Sequence, residues 1–184
     1  MPGNARLASL FRERFTEQGG KVYETRTFGE AVLTLTNLLV GQGVRRVVVA
    51  RMRGDAREHV LRSVRSAGID VIEPSNNAPR EMNMADAGIT MPDFAVAETG
   101  TLVEITQDQK DRLVSTIPRI HACLLNRENI VKRLQDLAGV MSETIKNRGA
   151  VITLISGPSK TADIELRLVV GVHGPHQVHA ILYG

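Results

Sequence analysis

The sequence contains one cysteine, Cys123, and no tryptophan, and aromatic residues make up only 3% of its 184 residues. A single thiol excludes an intramolecular disulfide, and it also excludes a four-cysteine iron–sulfur or zinc site within one chain. The scarcity of aromatic residues disfavours a surface that stacks the bases of single-stranded nucleic acid. We therefore expect no metal or redox cofactor on this chain, and a reducing, cytoplasmic compartment.

Long uncharged runs that suit a membrane span are also missing. Arg6, Arg12 and Arg14 interrupt the first segment, so it lacks the apolar core of a signal peptide. The stretch 168–184 is uncharged, but its glycines, proline and three histidines are not those of a membrane helix. We expect a protein without membrane insertion.

Positive charge is concentrated in the first 70 residues, which carry twelve Lys or Arg against seven Asp or Glu. The net charge of the whole chain is only +3. These charges are scattered along predicted helices, as on solvated surfaces, and no nucleic-acid-binding motif accompanies them. We expect no nucleic-acid partner.

Apolar residues with helical spacing occupy the first forty positions. Leu7, Phe11 and Phe15 recur every fourth residue and predict a first helix. The segment 27–30 has the spacing of a capping box and predicts the start of a second helix, which ends near Gly41.

The following residues predict neighbouring parallel strands. The run 47–49 is apolar at consecutive positions, as in strands buried on both faces. A helical stretch, 56–67, separates it from a second apolar run at 69–72. Strand, helix and strand at this spacing predict a βαβ unit with a right-handed crossover. The polar stretch 74–84, which contains two prolines, is predicted to be a loop.

The remainder of the chain predicts mainly strands. They are expected at 87–91, 94–97, 102–105, 120–125, 151–155, 166–170 and 178–182. The dipeptide Thr99-Gly100 predicts a tight hairpin between the second and third of these strands. One long helix is predicted from a cap at Asn126 to about Ile145.

No internal repeat, low-complexity tract or linker divides the sequence. We therefore predict one α/β domain over residues 1–184. It comprises an N-terminal helical segment, 1–43, packed on an α/β core, 44–184.

The segment 155–165 is the first candidate for chemistry, because it leaves a predicted strand and turns at a Gly-Pro pair. It carries Gly157, Ser159, Lys160, Thr161, Asp163 and Glu165. If a helix begins there, its free amides together with Lys160 suit an anion or a phosphate. In the structural alternative, a hydroxyl caps the helix and the two carboxylates complement its dipole.

Glu98, followed by Thr99 and Gly100, is the second candidate. A carboxylate at the ends of two apolar strands requires a partner if it is buried. In one interpretation it is a nucleophile or an acid–base group of the kind that CoA-transferase-like folds use, or it accepts a hydrogen bond from a ligand. In the other interpretation it is a solvent-facing hairpin residue.

The third candidate is His173, with its neighbours Gly171 and Gly174. In the functional interpretation His173 lines a ligand site. In the structural interpretation its imidazole forms a hydrogen bond with the backbone of a tight turn. Glu98 and His173 are the candidates for a catalytic role. Two more histidines follow at spacings of three residues, but strand alternation places them on opposite faces, so no metal site is predicted.

His121 and Cys123 stand two residues apart on a predicted strand, and their side chains point to one side. A cysteine–histidine nucleophile pair would need a third, orienting group, which the sequence does not show. A core position is predicted for Cys123.

Four segments resemble, in order, the signature segments of the lactate-utilization protein C family. They are 85–90 (ADAGIT), 94–101 (FAVAETGT), 155–165 (ISGPSKTADIE) and 171–175 (GVHGP). The resemblance runs from about Val47 to the C-terminus, and it implies a Rossmann-like sheet of the sugar-phosphate isomerase and CoA-transferase type. The sequence departs from the family at Met91-Pro92, where relatives usually have a small residue, and at Lys160, where they usually have Arg.

The resemblance implies a subunit of a system that converts L-lactate to pyruvate with two iron–sulfur partner proteins, which would carry the clusters. This chain would bind a small anionic metabolite. The resemblance leaves both a monomer and a homo-oligomer as alternatives. The implied pocket residues are Glu98, Thr99, Gly100, Gly157, Ser159, Lys160, Thr161, Asp163, Glu165, Gly171, His173 and Gly174. The alternatives are a free-standing CoA-transferase-like or sugar-phosphate-acting enzyme that uses Glu98, and a regulatory scaffold with a vestigial pocket.

Overall fold

The computed structural model describes residues 2–73, 78–161, 169–170 and 174–184. These residues form a six-stranded sheet, a four-stranded sheet and a two-stranded ribbon, with helices packed around them. The predicted α/β fold is confirmed. Within the described ranges, every helix is too short or too polar to span a bilayer.

The helices and strands alternate along most of the chain. The α-helices are α1 (Pro2–Glu17), α2 (Phe28–Gly41), α3 (Ala56–Ser66), α4 (Ala78–Met82), α5 (Gln109–Val114) and α6 (Ala138–Arg148). The first strands are β1 (Lys21–Glu24), β2 (Arg46–Val49), β3 (Asp70–Ile72), β4 (Ala87–Thr90), β5 (Phe94–Val96) and β6 (Thr101–Thr106). The later strands are β7 (Ile120–Asn126), β8 (Ile130–Val131), β9 (Val151–Ile155), β10 (Lys160–Thr161), β11 (Val169–Val170) and β12 (Gln177–Tyr183).

The larger sheet, called the main sheet below, has the strand order β1-β12-β7-β4-β2-β3, and all its strands are parallel. From β2 the chain moves outward to β3. It then returns to β4, on the other side of β2, and continues towards the opposite edge through β7 and β12. The direction of winding therefore reverses between β2 and β4, and a crevice forms at such a point beyond the carboxyl ends of the strands.

Apolar side chains cover both faces of the main sheet. One face packs against α2 and α3 and includes Val47, Ile89 and Leu124. The other face packs against α1 and the second sheet, with Phe11 and Phe15 fully buried. The predicted N-terminal helices thus pack on opposite faces of the sheet, and the consecutive burial expected for 47–49 is confirmed.

The second sheet has the strand order β8-β5-β6-β9. Strands β5 and β6 form the hairpin predicted at Thr99-Gly100, and Gly100 has a φ of +61° in its turn. One face of this sheet contributes Ala95 and Leu102 to the core shared with the main sheet. The opposite face packs against α6 and its preceding turn.

The predicted capping box at α2 is confirmed in a modified form. The Thr27 hydroxyl accepts a hydrogen bond from the amide of Glu30 at 3.2 Å. The Glu30 carboxylate accepts from the amide of Arg26, at 2.8 Å, rather than from that of Thr27. The reciprocal arrangement therefore extends one residue further towards the N-terminus.

Three sequence-based predictions were wrong in detail. The first forty residues were predicted as two helices, but the described chain has a strand, β1, between them, which pairs with β12. The stretch 74–84 was predicted as a loop, whereas Ala78–Met82 is helical. The long helix predicted from Asn126 is interrupted, because Ile130 and Val131 pair with β5 and Asn126 caps only a short 3-10 turn. The α-helix begins at Ala138.

Candidate functional site

A cavity of about 640 Å³ lies beyond the carboxyl ends of the main sheet, at the reversal between β2 and β4. Residues 50–53, which follow β2, and residues 90–94, at and after the end of β4, form two of its walls. Residues 104–108 of β6 and the loop after it form a third. Helix α6 contributes Val140, Glu143 and Thr144. The position agrees with the general location of ligand sites in open parallel sheets.

Two arginines stand at the β2 end of this cavity. The Arg53 guanidinium donates to Asp93 Oδ1 at 2.6 Å, while Asp93 Oδ2 accepts from the amide of Ile105 at 2.8 Å. Arg51 is held by Asp111, which accepts from its backbone amide at 2.9 Å. The Arg51 and Arg53 side chains are 74% and 79% exposed. Because a guanidinium has five N–H donors, each retains donors for a ligand.

A buried polar cluster forms the floor of the cavity. The Thr90 hydroxyl, at the last residue of β4, donates to Glu104 Oε1 at 2.5 Å. His121 of β7 lies with its Nε2 atom 2.8 Å from the same hydroxyl and 3.4 Å from Glu104 Oε1. Residue exposure is 3% for Thr90, 4% for Glu104 and 0% for His121. We call these three residues the floor cluster.

The hydrogen-bond directions place a proton on Nε2 of His121. A threonine hydroxyl has one hydrogen, and Thr90 gives it to Glu104, so His121 must donate from Nε2. The other ring nitrogen, Nδ1, is buried without a hydrogen-bond partner among the described residues. Buried polar atoms are rarely left in this state, so the cluster calls for an explanation beyond packing.

Glu104 remains ionised despite its burial. Loss of water alone raises the pKa of its carboxyl, but the hydrogen bond and the charge of His121 oppose this effect. The hydroxyls of Thr90 and Ser115 add to that opposition, and the pKa of Glu104 falls below its ordinary value.

Cys123 lies on the same face of β7 and is fully buried. Burial raises the pKa of its thiol well above the ordinary value, and the negative charge of Glu104 raises it further. A thiol in this state is a poor nucleophile. The core position predicted for Cys123 is confirmed, and its neighbour His121 belongs instead with Glu104.

The structure places Glu98, Thr99 and Gly100 in the β5–β6 turn, away from the cavity. Glu98 and Thr99 are exposed, and Glu98 does not line the cavity. A Cβ atom added at Gly100 would lie 2.3 Å from the backbone nitrogen of Phe15, so this turn packs directly on α1. These three residues are therefore at the end of the hairpin remote from β4.

The segment after β9 reaches the same end of α1. A Cβ atom at Gly157 would lie 2.6 Å from the carbonyl oxygen of Gln18, and Lys160 donates to that carbonyl at 2.6 Å. We call the contact between the end of α1, Gly100 and Gly157 the glycine junction. Lys160 and Thr161 form a short strand that pairs with Val169 and Val170, so no helix begins at these two residues.

Ser159 and Gly174 are brought together beside this junction. The Ser159 amide donates to the carbonyl of Pro175 at 3.0 Å, and a Cβ atom at Gly174 would lie 3.1 Å from that of Ser159. Asp163, Glu165, Gly171 and His173 lie outside the described residues, so the single pocket predicted for all twelve residues stays a prediction.

The two remaining histidines of the C-terminal segment have different environments. His176 is exposed, and His179 is buried between Tyr23 and Gln177, with Nδ1 3.2 Å from the Tyr23 hydroxyl. Loss of water lowers the pKa of His179 to about 4. In the described part of the chain, no three His, Cys, Asp or Glu side chains come together as a metal site.

Sequence reasoning missed Glu104, Thr90, Arg51 and Arg53 as site residues. One signal was present: Glu104 is a charged residue between two apolar ones, Val103 and Ile105, in β6. Its partners come from β4 and β7, 14 and 17 residues away, so only the folded sheet brings them together.

Comparison with known proteins places the fold in a family. Residues 8–183 match the model of the LUD domain. A lactate utilization protein C of Geobacillus kaustophilus is 38% identical over 94 residues, which are 50% of this chain and 39% of that protein. A lactate utilization protein C of Deinococcus radiodurans is 33% identical over 145 residues, covering 74% of this chain and 67% of that protein.

A solved structure shows the same fold. The crystal structure of a DUF162 family protein from Deinococcus radiodurans superposes with a TM-score of 0.71 and covers 98% of both chains at 22% identity. With the Geobacillus relative, by contrast, the matched segment spans less than half of the relative's length. The family match itself extends over nearly the whole chain, and this protein belongs to the LUD domain family.

Proposed function

We propose that this protein takes part in L-lactate utilization as a cytoplasmic subunit that binds a small organic acid, beside two iron–sulfur partner proteins. The family and the name shared by its relatives support the metabolic role. The observation that carries the binding role is the cavity at the β2–β4 reversal, with Arg51 and Arg53 at its edge.

The two arginines suit the carboxylate of such an acid. Their guanidinium groups are largely exposed at one wall, and a carboxylate is the bidentate partner that guanidinium geometry matches. Arg53 is also held in place, because Asp93 connects it to the backbone of β6. A pre-positioned cation loses less conformational entropy when a ligand binds.

Calorimetric titration of the purified protein with L-lactate and with pyruvate tests the binding role. The variant Arg53→Gln should weaken binding of both acids by roughly 10- to 100-fold, because a charge-assisted hydrogen bond contributes about 1.5–3 kcal/mol. Arg62→Gln removes an exposed arginine from α3, away from the cavity, and should bind like the wild type. Absence of binding by the wild-type protein, or equal affinities in all three proteins, would refute the proposal.

The metabolic role is tested by genetics. Deletion of the gene, with the genes of the two iron–sulfur partners kept, should abolish growth on L-lactate as the carbon source. The wild-type gene should restore growth and Arg53→Gln should restore it poorly. Normal growth of the deletion strain would rule out the metabolic role.

A further inference from the structure

We infer that Glu104 is a specificity-determining residue of the cavity, which selects a 2-hydroxy acid over the corresponding 2-oxo acid by accepting a hydrogen bond from the ligand's hydroxyl group. This inference rests on the proposed organic-acid site and names its ligand class more narrowly.

Glu104 is accessible from the cavity although it is buried in the fold. Both Glu104 and Thr90 line the cavity, while their residues are 4% and 3% exposed. His121 lies behind them at 0% exposure and does not line it. A ligand that fills the cavity therefore contacts Glu104 and Thr90, and the imidazole of His121 supports these two residues from inside the sheet.

The position of the carboxylate is fixed from two strands of the main sheet. Thr90 of β4 and His121 of β7 both bind Oε1 of Glu104, which itself comes from the second sheet. A carboxylate that is held in one orientation discriminates between ligands better than a mobile one. His121 is then a positioning residue, which keeps the carboxylate charged and oriented.

An ionised carboxylate can only accept hydrogen bonds. The hydroxyl of a 2-hydroxy acid donates one, whereas the carbonyl oxygen of a 2-oxo acid is itself an acceptor and is repelled. Sites that are built to bind a hydroxyl reject analogues without one, because the buried polar group then stays unpaired.

The charges of the cavity favour the same ligand class. Its lining includes five carboxylates (Asp93, Glu104, Asp108, Asp111 and Glu143) and two arginines. A ligand that carries both a carboxylate and a hydrogen-bond donor, as a 2-hydroxy acid does, can contact an arginine with the first group and a carboxylate of the lining with the second.

A purely structural role accounts poorly for the floor cluster. Apolar side chains of similar volume are often as stabilising as a buried ion pair, or more so. Here the pair additionally leaves His121 Nδ1 without a partner among the described residues. The floor cluster thus keeps a buried charge beside a cavity although apolar side chains would serve stability as well, which points to a use in binding.

The test is the ratio of the dissociation constants for pyruvate and L-lactate, measured by calorimetric titration of the folded protein. The wild type should prefer L-lactate. Glu104→Gln should lower this preference by roughly 10- to 100-fold, because the amide can donate to the carbonyl of pyruvate. Glu143→Gln removes the same charge from the α6 wall, and it should change both affinities by one factor and leave the ratio as it is.

A second pair of variants covers the case that Glu104→Gln does not fold, which thermal unfolding would show. Thr90→Val removes the hydroxyl that holds Glu104 and should reduce the preference, while Thr90→Ser keeps a hydroxyl and should restore it. If the wild type binds neither acid, the proposed function fails and the inference falls with it. If the wild type binds both acids equally, or if Glu104→Gln and Thr90→Val keep the wild-type ratio, the binding role stands and the inference is overturned.

Discussion

The two ends of the main sheet use different chemistry. At the amino end, the glycine junction brings three backbone segments into direct contact, and a Cβ atom at Gly100 or Gly157 would collide with the backbone of α1 or the residues after it. At the carboxyl end, the cavity is lined by charged and hydroxyl side chains. The glycines that mark two of the family-like segments therefore serve close packing, and the polar residues at the other end are available to a ligand.

The largest expected effect is at the glycine junction. Gly100→Ala should lower the free energy of unfolding by about 4 kcal/mol, because it adds a side chain at positive φ and forces α1 away. Gly43→Ala is a matched control, since Gly43 has a φ of +70° and open space around the position of the Cβ atom. It should lose only about 1 kcal/mol. Equal losses in urea unfolding would show that packing at the junction is unimportant.

A slightly smaller loss of stability is expected when Glu104 of the floor cluster is replaced. Replacing His121 as well should restore most of it. Glu104→Leu leaves His121 buried without its carboxylate and should cost about 3 kcal/mol in urea unfolding. The double variant Glu104→Leu/His121→Leu should regain most of this loss, because neither member of the pair then lacks its partner and only the Thr90 hydroxyl stays buried without an acceptor. It should also lose the preference for L-lactate. If the double variant is as unstable as the single one, the floor cluster serves to stabilise the fold, as the glycine junction does.

The last effect, no larger than that at the floor cluster, is a dependence of stability on pH, and it arises at the β1–β12 pair. The pKa of His179 is lowered to about 4 from 6.5, so between these pH values the unfolded chain binds a proton that the folded protein does not. Stability should fall as the pH drops from 6.5 to 4, by up to about 3 kcal/mol, and this contribution should change little outside that window.

Thermal or urea unfolding at several pH values tests this prediction. His179→Gln should show a weaker pH dependence than the wild type between pH 6.5 and 4. His176→Gln removes an exposed histidine three residues earlier and should follow the wild-type curve. Identical slopes for all three proteins would show that His179 does not contribute.

Much of the fold followed from local pattern. The βαβ unit, the hairpin at Thr99-Gly100 and strands β4, β7, β9 and β12 were predicted because apolar runs and turn residues report local geometry. The long helix failed because Ile130 has helical spacing with later apolar residues, yet pairing with β5 buries it better. Such a competition is decided by tertiary contacts that the local pattern does not contain.

The site was harder to predict, because its parts are far apart in the sequence. Glu98 drew attention as a carboxylate at the ends of two apolar strands, whereas the buried carboxylate at the cavity is Glu104, six residues later in the second strand of the same hairpin. Arg51 and Arg53 gain their importance only from the reversal of strand order between β2 and β4. That reversal depends on which strands pair, and a single sequence does not fix the pairing.

Glu104 belongs to the second sheet, whereas Thr90 and His121 belong to the main sheet. The apolar contacts between the two sheets would tolerate a small sliding movement, since one aliphatic side chain can replace another. The polar contacts of Glu104 with Thr90 and His121 would not tolerate such a movement. A shift of β6 by one residue would present Val103 or Ile105 to the Thr90 hydroxyl and the imidazole, and leave both buried without an acceptor. The alignment of the two sheets is therefore set at this one carboxylate, to within a single residue.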